Sequence, residues 1–191
     1  MANRQSAEMS SAGGLRQAEY QSALFGRFCR QLSQMGPDVG VLDLGPSTPG
    51  NVMYWIGKGY RVSARDLVAH VSPREEVKLE YPDAAFGGVL CWTAPSHLTP
   101  ENARELMQEI GRVLRPDGWL FSVFDGDGRH PPTAQRYRVL DDDRLGFEPI
   151  LKREPPRAVL TREVELLYQS FREVRVMVMR HGSREALGRR P

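Results

Sequence analysis

Apolar and polar positions change their period several times along the chain, and each change marks an element. Ala18, Phe25, Phe28, Cys29, Leu32 and Met35 recur at three- and four-residue steps, so Leu15 to Met35 reads as one amphipathic helix stopped by Gly36-Pro37. A near-continuous apolar run from Val39 to Leu44 follows, the pattern of a central parallel strand buried on both faces. It breaks into a Gly/Pro/Ser turn at Gly45 to Gly50 and resumes as a short apolar helix ending near Gly57-Lys58-Gly59. Tyr60 to Asp66 reads as a second strand with Asp66 at its carboxyl end. The spacing is that of a βαβ unit, whose crossover is right-handed.

The pattern weakens from Leu67 to Asp83, where Ser72-Pro-Arg-Glu-Glu76 offers a helix start with room for a turn or two before Tyr81-Pro82. A strand then runs from about Gly87 to Trp92. Thr99 as N-cap, Pro100 at the first helical position and Glu101 at the positive helix end open the next helix. Ala103, Leu106, Met107, Ile110, Val113 and Leu114 make its apolar stripe. Arg115-Pro-Asp-Gly118 ends it as a tight turn into the strand Trp119 to Phe124. Asp125 to Pro132 reads as a loop, and Arg136 to Leu140 with Leu145 to Leu151 as a hairpin turning at Asp141 to Asp143. Thr161 caps a helix through Val164, Leu167, Tyr168 and Phe171. Val174 to Met179 alternates as a strand, and a short strand lies at Glu185 to Leu187.

A chain of 191 residues, 40% apolar and 26% charged, suits one globular domain with a single core. Met1 to Gly14 is small and polar and reads as a disordered arm, leaving a domain from 15 to 189 with a loop and hairpin insertion at about 125–151. No apolar run approaches the ~18 to 20 residues of a membrane span. The N-terminal stretch lacks the apolar core of a secretory signal, which gives a cytoplasmic expectation. Cys29 and Cys91 are too few for a disulfide framework, and no Cys/His spacing suggests a metal. Cys29 falls on an apolar stripe, as a packed thiol does. From Leu151 onward there are ten Lys and Arg against five Asp and Glu, compared with sixteen against nineteen before it. A basic end of this kind is either a solvated, frayed surface or a contact for an acidic partner. Because the excess is confined to the tail, small-molecule chemistry is expected rather than nucleic-acid binding.

Val41-Leu-Asp-Leu-Gly45, Asp66, Gly88-Val-Leu-Cys-Trp92 and Leu114-Arg-Pro-Asp-Gly118 stand in an order and spacing that resembles the class I S-adenosylmethionine-dependent methyltransferases. The resemblance spans roughly Leu15 to Arg189. It implies an α/β, doubly wound, mostly parallel Rossmann-like sheet with helices on both faces and one antiparallel strand near the C-terminus. It also implies a cofactor site for S-adenosylmethionine. Asp43 would help hold the methionine part, Gly45 would let the backbone approach it, and Asp66 would accept both ribose hydroxyls. Cys91 and Trp92 would line the pocket, and Thr93 to His97 would border the methyl-transfer site. His97 and Asp125 are the candidate bases. Each has an alternative: a strand-end Asp can simply cap a turn, Trp92 can be core, and His97 can be a structural histidine.

Two departures shape the expectation. Ser47 and Pro49 stand where the family places its second and third glycines, and Pro46 and Pro49 lack an N–H. Ser47, Thr48 and Asn51 could offer replacement donors, and Asn51 could cap the short helix. Only about twenty residues separate Asp66 from the strand at Gly87, so the third-strand region is shortened, with no convincing strand before Glu80 or Asp83. Two functions follow. One is methyl transfer to a small-molecule acceptor, held under the 125–151 hairpin. The other is a methyltransferase fold kept as a module that binds a protein through that hairpin or the Arg-rich C-terminus. A nicotinamide enzyme lacks support without Gly-x-Gly-x-x-Gly, and a P-loop is excluded by the absence of Gly-Lys-Ser/Thr.

Overall fold

The computed structural model describes residues 18–36, 38–70, 76–126, 132–180 and 182–191. The polar arm, His130 and most of the helix start at 72–76 therefore lie outside the described residues. Two sheets organise the rest. Strands β2 (Gly40–Asp43), β3 (Arg61–Ala64), β4 (Phe86–Trp92), β5 (Leu114–Phe124), β8 (Arg172–Val178) and β9 (Arg184–Arg189) form a six-stranded sheet in the order β3-β2-β4-β5-β9-β8. The pairs β3-β2-β4-β5 are parallel, and β9 is antiparallel to both its neighbours. Strands β1 (Ala18–Gln21), β6 (Gln135–Asp141) and β7 (Arg144–Pro149) form a separate antiparallel sheet in the order β1-β7-β6.

Two apolar layers cover the faces of the large sheet. On one, Leu42, Val89, Cys91 and Leu120 pack with the stripe of α4 (Pro100–Val113) and with Val164 and Leu167 of α5 (Thr161–Leu167). On the other, Val41, Leu90, Trp92 and Phe121 pack with α1 (Ala23–Gln34), Trp55 of α2 (Pro49–Gly57) and the inward residues Tyr137 and Val139 of β6. This is the doubly wound arrangement that the sequence implies, with the hairpin sheet added to the α1 face.

Several elements differ from their sequence reading. The stretch expected as one helix from Leu15 begins, within the described residues, as β1, because Ala18 to Gln21 pairs with β7 some 125 positions away. Ser22 then caps α1, its Oγ accepting from Phe25 N at 2.9 Å and donating to Glu185 at 2.7 Å. Thr48, not Asn51, caps α2. Thr161 is the first residue of α5 rather than its cap; its hydroxyl accepts from Arg184, and the helix ends at Leu167, before Tyr168 and Phe171. Leu114 pairs with Phe86 as the start of β5, so residues 115–118 bulge from that strand with Asp117 at φ 65°.

The region between β3 and β4 holds a short helix, α3 (Leu67–His70), and then an extended segment. Val77 and Leu79 insert into the core from it, and their N–H groups donate to the carboxylates of Glu105 and Glu109 on α4 at 3.4 and 2.9 Å. Side chains thus take the place of a missing ladder.

The Arg-rich end is not a frayed tail. Arg189 bridges Glu173 and Asp117 (2.7 Å each), Arg190 donates to the Leu114 carbonyl, and Arg184 is buried against Thr161 and Gly126. Because β9 lies between β5 and β8, its arginines fasten the sheet.

Candidate active site

In an open parallel sheet, the crevice lies where successive connections leave in opposite directions, beyond the strand carboxyl ends. Here that point is β2, which has β3 on one side and β4 on the other. Asp43 ends β2, Trp92 ends β4, Asp125 follows β5 and Asp66 follows β3. Four of the residues singled out in the sequence therefore meet at one edge of the sheet.

Trp92 is the hub. Between Leu90 and Trp92 the β4–β5 register shifts, and Trp92 takes φ 47°, a left-handed conformation that a bulky residue rarely adopts. The bulge aims the indole across the crevice. Its Nε1 donates to Asp43 Oδ1 at 2.8 Å, and its ring lies so close to Gly45 that a Cβ there would stand 2.3 Å from Trp92 Cδ1. Only glycine fits that turn. Gly45 N also donates to Asp43 Oδ1, at 3.1 Å. Burial pushes the Asp43 carboxyl up, while these bonds and the nearby Ser47 and Asn51 side chains favour its charged form.

The indole also carries Tyr137, stacked at 5.5 Å and 8°, and packs on Phe25 at 6.4 Å and 28°. The Tyr137 hydroxyl donates to Asp125 Oδ1 at 2.7 Å, while Asp125 Oδ2 is buried with no partner among the described residues. Burial raises the Asp125 carboxyl to about 6, against a smaller lowering by Tyr137. Asn51 seats this strand. Its Nδ2 donates to the Tyr137 carbonyl (3.1 Å) and its Oδ1 accepts from Val139 N (2.9 Å). Asn51, expected as a donor toward a cofactor, holds the hairpin through these two bonds. Ser47 N donates to the Gly45 carbonyl at 2.7 Å within the loop itself.

At the β3 side, Asp66 forms a two-pronged ion pair with Arg153, at 3.2 and 2.6 Å. His97, on a 3-10 turn at Ala94–His97, feels both. Burial and then Arg153 lower it to about 4, and Asp66 opposes them. Cys91 is placed apart from this group: fully buried, it faces the α4 layer, and burial pushes its thiol up. Glu80 and Asp83 pair outward with Arg65 and Arg112.

Tyr137 and Arg153 were missed by the sequence reading. Tyr137 had a signal, since it shares the inward alternation of the hairpin with Val139. Arg153 had none, because nothing local marks a loop arginine as the partner of an acid 87 positions earlier.

A family model described as a methyltransferase domain matches residues 23–122. Among solved structures, a S-adenosylmethionine-dependent methyltransferase from Methanosarcina mazei is similar at 14% identity and TM-score 0.51, over 81% of this chain and 93% of that one. The 1,6-didemethyltoxoflavin-N1-methyltransferase of Burkholderia thailandensis, solved with 1,6-didemethyltoxoflavin and S-adenosylhomocysteine, is similar at 19% identity and TM-score 0.50, over 88% and 79%. The [4+2]-cyclase SpnF is similar at 14% identity and TM-score 0.53, over 87% and 80%. At these identities the likeness to the three structures is one of fold.

Proposed function

The chain belongs to the methyltransferase-domain family, and we propose that it transfers the methyl group of S-adenosylmethionine to a small-molecule acceptor. The observation that carries this reading is the gathering of Asp43, Gly45, Asp66, Trp92 and Asp125 at the carboxyl edge of the sheet, around its topological switch. The donor set suits the cofactor. Asp66, partly exposed, would accept two ribose hydroxyls in place of Arg153, and Asp43 lies beneath the loop that would take the amino-acid end. When bound, the cofactor supplies a methyl group on a positively charged sulfur.

The chain's own work is positioning and proton removal. Binding requires Arg153 to release Asp66, and the indole over Gly45 sets how closely a ligand approaches that loop. Of the two bases expected, Asp125 is the better. A carboxylate near 6 holds a proton about a hundredfold more tightly than an imidazole near 4, and both are unprotonated at neutral pH. His97 remains the neighbour of the Asp66–Arg153 pair.

Calorimetry with S-adenosylhomocysteine tests the reading: binding is expected, and Asp66→Asn should weaken it by at least tenfold, about 1.4 kcal/mol. A second reading is favoured by two contacts. Trp92 on Gly45 and Arg153 on Asp66 fill both ends of the cofactor's place, as they would in a fold kept for binding alone. It predicts no heat up to millimolar ligand.

A further inference from the structure

Tyr137 is an unusual core residue. Its ring is held face to face on an indole, and its phenol points at a carboxylate whose second oxygen has no partner among the described residues. Tyr168 is as deeply buried, yet its hydroxyl meets the neutral groups of Ser122 and the Ala186 carbonyl. Burying a carboxylate costs free energy unless its lone pairs are met, and among the described residues Asp125 Oδ2 is not met. The indole also reaches the glycine loop, so whatever lies on Trp92 lies one ring away from Gly45. The strand carrying Tyr137 is fixed beside that ring by the two Asn51 hydrogen bonds.

From this we infer that Trp92 and Asp125 form the acceptor subsite, that the acceptor is a planar hydroxyarene, and that the Tyr137 side chain is its resident stand-in. The inference rests on the methyl-transfer reading and names its substrate class. An aryl ring replacing Tyr137 stacks on the indole, and its hydroxyl takes up the hydrogen bond to Asp125. The acceptor O–H bond breaks and its proton passes to Asp125. The oxygen lone pair forms the bond to the methyl carbon, whose bond to sulfur breaks with the electron pair going to sulfur. An aryl methyl ether and S-adenosylhomocysteine result, and Asp125 returns the proton to water. No oxidant or metal enters the balance.

The test uses 4-methylphenol, the Tyr side chain itself, and its methyl ether 4-methylanisole, titrated by calorimetry into the full chain. Removing the resident competitor should help the ligand: Tyr137→Ala is expected to bind 4-methylphenol at least tenfold more tightly than wild type. It should also prefer 4-methylphenol over 4-methylanisole by at least fivefold, and Asp125→Asn added to Tyr137→Ala should abolish that preference. With S-adenosylmethionine, mass spectrometry should find 4-methylanisole produced by Tyr137→Ala faster than by wild type. If Tyr137→Ala does not fold, Tyr137→Leu carries the same comparison. Equal affinity for the two arenes, no gain over wild type, or a filled site that yields no ether while S-adenosylhomocysteine still binds would each overturn the inference. Absence of S-adenosylhomocysteine binding would instead overturn methyl transfer, while the arene preference would still report on the subsite.

Discussion

Asp125 and His97 show how one crevice moves two groups in opposite directions. Burial raises Asp125 from 3.8 to about 6, so the folded chain holds that proton more tightly than the unfolded one. The stabilisation it gives is complete below about pH 4 and is lost as pH rises through 6, some 3 kcal/mol in all. Asp125→Asn should remove this dependence. The melting-temperature advantage of the variant over wild type should widen between pH 4 and pH 7, and a constant gap would count against a buried, raised carboxyl. His97 works the other way. Its folded value is lowered from 6.5 to about 4, so its contribution is present above pH 6.5 and is lost on acidification toward 4. Asn51 can be tested at the same scale. Asn51→Ala strips Tyr137 O and Val139 N of their partner, and should cost about 1–3 kcal/mol in denaturant unfolding. An unchanged midpoint would mean that the hairpin is held by packing alone.

Among the elements, α4 was legible up to Val113 because that information is local, while Leu114, read as part of its stripe, belongs to β5. Thr99 accepts from Asn102 N at 3.2 Å, Pro100 follows, and the stripe is buried as spaced. The strand β4 was equally plain from its apolar run. β1 was not, since Ala18 continues the helical stripe and only a strand 125 positions later makes it extended. Nor could the sequence show that Asn51 turns toward β6, or that Arg153 meets Asp66, because each partner is more than 80 positions away. Asp43, Gly45, Asp66, Trp92 and Asp125 were legible as strand-end and turn positions because those features are local; the side chains that meet them were not. The C-terminal strand yields a prediction of its own. A chain ending at Gly182 loses β9 from between β5 and β8 and is expected to lose its cooperative thermal transition; a dispensable tail would leave the melting temperature within a few degrees.

Across the whole molecule, ion pairs and packing tie the large sheet to its surroundings. On the proposed assignment of Asp66 to the ribose, Arg153 would compete for that carboxylate, so Arg153→Ala should tighten S-adenosylhomocysteine by at least about threefold in calorimetry. A weaker complex would make Arg153 a ligand contact instead. The sheet's other margin stops at β3, where the chain offers Val77 and Leu79 to α4 in place of a further strand. Carboxylates there do the work of carbonyls, and this has a kinetic signature. Hydrogen–deuterium exchange should find two slow amides in a segment without regular secondary structure, next to fast ones. Arg112 and the Leu79 N–H hold the Glu109 carboxyl below the usual carboxylate range, so the protection of the Leu79 amide should fade only in acid, as Glu109 takes up a proton.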